Sequence, residues 1–141
     1  MANLNKLVIT AADYKVILIV PTANGSVTFT VLTLANIGWD IKRDSELIYA
    51  VGDTGAIANK SNGVAYTGKL NMQAGEMGAI LALCGFTETT EIQGATLGIT
   101  SLTGGISRTF DGLNFNSENL DIKAKDKESL ISTDWTALTV V

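Results

Sequence analysis

Apolar and polar residues alternate along several stretches of the chain, and apolar residues fall at helical spacing in one place. Residues 64–72 show the alternation most clearly. Val64, Tyr66, Gly68, Leu70 and Met72 face one way, and Ala65, Thr67, Lys69 and Asn71 the other, as a half-exposed strand requires. Residues 14–20 are apolar and β-branched, which predicts a buried strand. Asn24-Gly25 then predicts a hairpin turn. Residues 27–34 read as a strand whose apolar positions slip from one face to the other, so both faces need cover. Residues 36–45 carry Trp39, Asp40, Lys42, Arg43 and Asp44 and read as a loop or the polar tip of a long hairpin. A strand is expected over 46–51, ended by Gly52-Asp53-Thr54-Gly55, and residues 56–63 read as a polar loop closing on Asn62-Gly63.

The helical spacing belongs to residues 74–84. Met77, Ile80, Leu81 and Cys84 share one face, Glu76 sits in the first turn, and Gly85 follows as a terminator. Beyond it the pattern returns to strand over 92–103, with a turn at Gly104-Gly105 and short strands at 106–110 and 113–115. In residues 119–125, Leu120, Ile122 and Ala124 are expected inward and Asn119, Asp121, Lys123 and Lys125 outward. Residues 125–128 read as a charged turn, and 135–141 as a last strand that ties the C-terminus down. The sum is one domain over 1–141, with an arm at 1–10. It is mainly β: an antiparallel barrel or sandwich with one flanking helix.

Composition narrows what such a domain can do. Net charge is −4 and spread along the chain, which disfavours tight nucleic-acid binding. One cysteine leaves no disulfide framework within a chain. The most apolar run, 16–20, is too short to cross a bilayer and is followed by Pro21, which predicts a soluble chain made in a cytosol with no membrane anchor. Mean hydropathy is +0.26 with few charges to cover the surface, and burial of part of that surface against copies of the same chain is the preferred reading.

The chemistry of an enzyme is hard to assemble from these residues. Histidine is absent, which removes the commonest general base and metal ligand and any Ser-His-Asp or Cys-His set. Cys84 lies on the apolar helix face and reads as a packed thiol. Gly52–Gly55 and Gly104-Gly105 do not fit phosphate-loop spacing. Asp111, Asn114, Asn116, Glu118 and Asn119 supply oxygens but lack the calcium-loop pattern. No catalytic residue, cofactor or metal is assigned. Trp39, a large aromatic among charges, reads equally as a local anchor or an interface residue.

The order of the pieces adds a resemblance. The run Glu46-Leu47-Ile48-Tyr49-Ala50-Val51-Gly52 is followed by a polar loop. Then come Asn62-Gly63-Val64-Ala65-Tyr66-Thr67-Gly68-Lys69-Leu70-Asn71-Met72 and the helix beginning at Glu76. This resembles the central part of tail tube proteins of tailed bacteriophages. Leu102–Phe110 and Asn119–Lys125 are similar to later strands of that family, and the likeness runs from about Gly38 to Ile131. The 1–10 arm and the 53–63 loop, which lacks a proline, depart from it.

The resemblance implies a subunit that joins its sheet to further copies in rings of six. Those rings would stack into a hollow tube for DNA in a phage virion, with sheath, terminator and baseplate proteins as partners. Its implied channel face is Ala65, Thr67, Lys69 and Asn71. Trp39, Asp40, Lys42, Arg43, Asp44, Asp53, Asn59 and Lys60, in the 36–45 and 53–63 segments, are the candidate contacts between rings, with the 2–10 arm as a third candidate. A tail terminator, a baseplate ring, or the tube of a contractile injection or type VI secretion system has the same plan. A β-sandwich binding module is the reading outside this class.

Overall fold

A computed structural model describes residues 10–49, 56–124 and 127–141, with the side chains of 44–62 left aside. The arm at 1–9, the glycine-flanked segment 52–55 and residues 125–126 of the charged turn lie outside the described residues. Among the described residues, nine strands and one α-helix run in the order β1 (Tyr14–Thr22), β2 (Gly25–Thr30), β3 (Leu34–Tyr49), β4 (Ala56–Gln73), α1 (Ala74–Cys84), β5 (Ala95–Ser101), β6 (Arg108–Phe115), β7 (Asn119–Asp121), β8 (Leu130–Ala137) and β9 (Thr139–Val140). All strand pairs among them are antiparallel.

The strands form one path, β2-β1-β5-β6-β8-β4-β3, with β7 beside β8 and β9 beside β6. β6 belongs to both halves of it. Arg108 to Leu113 pair with β5, while Asn114 and Phe115 pair with Thr136 and Trp135 of β8. The change of partner follows a bulge: Leu97 pairs with Phe110 but Ala95 with Leu113, which leaves one extra residue on β6. Gly112 supplies the positive φ of 62° that this kink needs. A strand that turns between sheets in this way makes the corner of a sandwich.

The expected barrel does not close. Among the described residues β2 pairs only with β1, and β3 only with β4, so the path has two free ends. The reason lies in residues 31–33. The Glu76 carboxylate accepts hydrogen bonds from the backbone N–H groups of Leu32 (2.8 and 3.1 Å) and Thr33 (3.0 Å) and from the Thr33 hydroxyl (2.8 Å). This pins the chain to the first turn of α1, so β3 starts in the other half of the sandwich rather than alongside β2.

Both halves and the helix enclose one core. β1 contributes Val16, Leu18 and Val20 at alternate positions, in keeping with its apolar sequence. Helix α1 buries Met77, Ile80, Leu81 and Cys84, the face read from its spacing. Each such aliphatic side chain contributes about 1.5–3 kcal/mol. The helix ends at Gly85 (φ 77°), with Phe86 N–H donating to the Leu81 carbonyl and Gly85 N–H to that of Ala82.

Several expectations are corrected. Residues 36–45, read as a loop or the polar tip of a long hairpin, are the body of β3 in a long β3–β4 hairpin, and residues 56–63, read as a loop, are the start of β4. Asn62-Gly63 is no turn: Asp44 pairs with Gly63 and Ser45 with Ser61, so Asn62 is the extra residue of a bulge. The short strands at 106–110 and 113–115 are one strand, joined through the bulge at Asp111-Gly112. Leu120, Ile122 and Ala124 are not inward but exposed. Among the described residues β7 is a three-residue strand paired only with β8, and the side chains of Leu120 and, just past it, Ile122 are 46% and 77% exposed. The β2 strand is not covered on both faces: Thr28 and Thr30 are exposed, and the slipped residue Leu32 leaves the strand. The last strand expected over 135–141 is two strands, β8, which begins at Leu130 and buries Thr133 and Trp135, and the short β9.

Candidate functional site

The inner side of β3, β4 and β8 is aromatic. Trp39, Tyr66 and Trp135 surround Phe110, with ring centroids 6.1, 6.5 and 4.8 Å away at tilted angles. Trp135 pairs directly with Gly68 across β4 and β8, and its ring lies over the glycine. A β-carbon at position 68 would overlap the indole and the Gly38 carbonyl oxygen. Trp39 is therefore a half-buried anchor of this cluster.

The outer side of the same strands is a continuous polar face. Register places its side chains in rows across the sheet. Lys42 stands beside Ala65. Asp40 stands beside Thr67, which stands beside Thr136 and then Asn114. Gly38, Lys69 and Asp134 form the next row, and Asn36, Asn71, Ser132 and Asn119 the one after. Most of these residues are exposed; Asn71 and Ser132 are half-buried. Two lysines, Lys42 and Lys69, face two aspartates, Asp40 and Asp134, so the face is neutral in a chain of net charge −4. Lys42 Nζ lies 3.7 Å from Asp40 Oδ2 in an exposed pair, worth under about 1 kcal/mol. Asn116 also borders this face, donating to the Thr136 hydroxyl at 3.2 Å. Two hollows open on the face, one lined by Gly38, Asp40, Thr67 and Asp134, the other by Lys69, Asn71, Asn119 and Ser132.

The β3–β4 hairpin continues past this face. β8 pairs with β4 only from Tyr66 onward, whereas β3 and β4 stay paired out to Tyr49 and Ala56. The outer part is thus a two-stranded ribbon with no third strand among the described residues. An isolated ribbon of this kind is at best marginally stable in water.

Ala65, Thr67, Lys69 and Asn71 lie together on the polar face. The expected inter-ring set is divided. Asp40 and Lys42 share that face, Trp39 turns inward, and Arg43 is exposed opposite Val64. Asp44, Asn59 and Lys60 occupy ribbon positions opposite Gly63, Leu47 and Glu46, and Asp53 lies outside the described residues. Sequence reasoning missed Asn36, Ser132, Asp134 and Thr136. The signal was there for β8, where Ile131, Thr133 and Trp135 alternate with Ser132, Asp134 and Thr136.

The oxygen-rich stretch 111–119 is occupied with structural work. Asp111 accepts from the Thr96 hydroxyl (2.7 Å), Asn114 from Gly94 N–H (2.8 Å), and Glu118 from the Thr89 hydroxyl (2.8 Å). Among the described residues no group of three or more acidic, histidine or cysteine side chains could hold a metal, and no helix is long and apolar enough to cross a membrane. Burial pushes the Cys84 thiol above its ordinary pKa, which disfavours the reactive thiolate.

No protein-family model and no curated protein matches the chain. Solved structures do. A chain of the anti-feeding prophage baseplate, from a six-fold symmetrised cryo-EM structure, matches with a TM-score of 0.55 at 9% identity, covering 95% of each chain. A chain of the virion of the native gene transfer agent particle matches at 0.54 and 6% identity, over 94% of this chain and 95% of that one. A chain from the anti-feeding prophage cap, which terminates the tube, matches at 0.58 and 12% identity, over 95% and 89%. The fold is therefore tail-tube-like: mainly β, with one flanking helix and a sheet not closed into a barrel.

Proposed function

We propose that the chain is a non-enzymatic structural subunit of a phage tail tube. It closes with five further copies into a ring, and the rings stack around a channel that DNA crosses during ejection. The observation that carries this reading is the fold match, which spans nearly the whole chain and links it to chains of two particles, the anti-feeding prophage (baseplate and cap) and the gene transfer agent. Two physical features support it. Among the described residues the outer edges of β2 and β3 have no partner strand, and pairing with another copy in a closed ring would cover them. The polar face built on Ala65, Thr67, Lys69 and Asn71 is neutral and carries no basic stripe, so DNA sliding past it finds nothing to grip. In this reading that face lines the channel and the β3–β4 ribbon reaches the next ring. The partners would be sheath, terminator and baseplate proteins, and the location a virion assembled in a bacterial cytoplasm.

Negative-stain electron microscopy of concentrated protein, with mass photometry after dilution, tests the reading. Long hollow tubes or stacked rings are the expected result. A monomer at every concentration would overturn it. A Thr67→Cys variant tests the channel face: in assembled tubes a small maleimide should label it while one carrying a bulky polymer should not. Equal labelling by both would place the face outside. A second reading is a baseplate or terminator ring, favoured by the baseplate and tube-cap chains among the similar structures. Single closed rings that never stack would select it.

A further inference from the structure

Two Asn-Gly pairs occur in the chain, at 24–25 and 62–63, and an Asp-Gly pair at 111–112. Such pairs share a chemical weakness. The backbone nitrogen that follows an asparagine can attack the side-chain amide carbon, and a glycine in that place, having no side chain, leaves the approach open. Asparagine is one of the heat-labile residues that proteins of hyperthermophiles use sparingly. The fold treats the three pairs differently.

Asn24 and Gly25 lie at the tip of the β1–β2 hairpin, and both are exposed. Gly25 has a φ of 111°, with nothing within 4 Å of the place where a β-carbon would stand. The Thr22 hydroxyl holds the turn, donating to the Gly25 carbonyl at 2.5 Å and accepting from the Asn24 backbone N–H at 3.3 Å. Neither bond uses the Asn24 side chain. Thr22 and Gly25 are also the last pair of the β1–β2 ladder, and among the described residues β2 has no second neighbour. Opening the backbone there disrupts the least structure. Gly63 instead pairs with Asp44 inside the β3–β4 ladder, between the pairs Arg43–Val64 and Ser45–Ser61. At the third pair, the Asp111 carboxylate accepts from the Thr96 hydroxyl at 2.7 Å and Leu138 packs over Gly112.

We propose that Asn24 is a self-modifying site of the folded protein, converted without an enzyme to aspartate and isoaspartate. The Gly25 nitrogen bonds to Asn24 Cγ and the Cγ–Nδ2 bond breaks. The proton of the Gly25 N–H passes through water to the leaving nitrogen, which departs as ammonia and leaves a succinimide ring. Water then opens the ring at either carbonyl, one giving aspartate and the other isoaspartate. Nothing is oxidised or reduced. Both products put a carboxylate where a neutral amide stood, in a chain whose net charge is already −4. Isoaspartate also routes the main chain through the side chain, which lengthens it by one carbon at the base of β2. In the ring reading, on which this consequence alone rests, β2 is an edge that a second copy covers, so a modified subunit would pair less well.

The test is peptide mapping by mass spectrometry of the full chain, kept folded or held in urea, after incubation in neutral and in mildly alkaline buffer. In the folded protein a gain of one mass unit is expected at Asn24 alone, divided between aspartate and isoaspartate and faster in the alkaline buffer. It should be absent from Asn24→Gln, whose longer side chain cannot close the same ring. In urea, Asn24 and Asn62 should convert at similar rates. Folded protein that keeps Asn24 intact while the urea sample converts would overturn the proposal. So would folded protein in which Asn62 converts as fast as Asn24, since the fold would then select nothing. The modified fraction, separated by anion exchange, should form fewer tubes by electron microscopy than the unmodified one. Equal tube yields would overturn the edge consequence and leave the modification site standing. No tubes from either fraction would overturn the ring reading alone.

Discussion

At position 68 the side chain has to be a hydrogen atom. The Trp135 ring occupies the space that a β-carbon would need, and the Gly38 carbonyl closes it from the other side. Gly68→Ala should therefore cost about 3 kcal/mol or more, at the upper end for an overpacked core, read as a shift in the urea unfolding midpoint. Glu91 gives a residue-level prediction of another kind. Its carboxylate accepts from the Thr87 hydroxyl at 2.6 Å, and this bond, helped by backbone donors, holds its pKa below the ordinary 4.5. The unfolded chain then binds the proton more readily. The contribution is present above about pH 4.5 and is lost as the pH falls through the lower folded value. Glu91→Gln should flatten the dependence of melting temperature on pH between about 3 and 6. An unchanged slope would mean that other carboxylates dominate acid unfolding.

At the scale of elements, the helix is where one substitution should improve the protein. Gly78 lies on the exposed face of α1, with open space where an alanine β-carbon would stand. Gly78→Ala should add about 0.5–1 kcal/mol through helix propensity and a less free unfolded chain, seen as a raised melting temperature of the monomer. This element was legible in the sequence because its apolar spacing and its terminating glycine agree. The strands were less so. Asn24-Gly25, Asn62-Gly63 and Asp111-Gly112 look alike as dipeptides, but the first belongs to a hairpin connection and the other two to bulges inside strands. Such a pair announces a positive φ without saying whether a turn or a bulge uses it. Leu120 and Ile122 misled for a related reason: alternation predicts sides, but a three-residue edge strand has no core to face. The polar face was readable only along β4. Its other rows come from β3, β6, β7 and β8, and which strands stand side by side is a long-range property that no local pattern encodes.

At the scale of the whole molecule, the ribbon separates assembly from folding. Replacing residues 45–60 by an Asn-Gly turn removes only pairs between β3 and β4 that no other described strand supports. The melting temperature of the monomer should change little, while electron microscopy should find no tubes. A large drop in melting temperature would show that the ribbon stabilises its own subunit instead of serving a neighbour.

The shared strand β6 has a mechanical consequence. Its first residues are bonded to β5, its last two to β8, and β9 pairs along it as well, so neither half of the sandwich can peel away while the other stays closed. Amide protons in the middle of β6 should exchange with solvent only when the entire chain unfolds, whereas those of the β3–β4 ribbon should exchange through local fraying. A pull applied at the ribbon would then travel through β4 and β8 into β6 and be borne by both sheets together. Each subunit would behave under load as a single stiff block with one compliant handle.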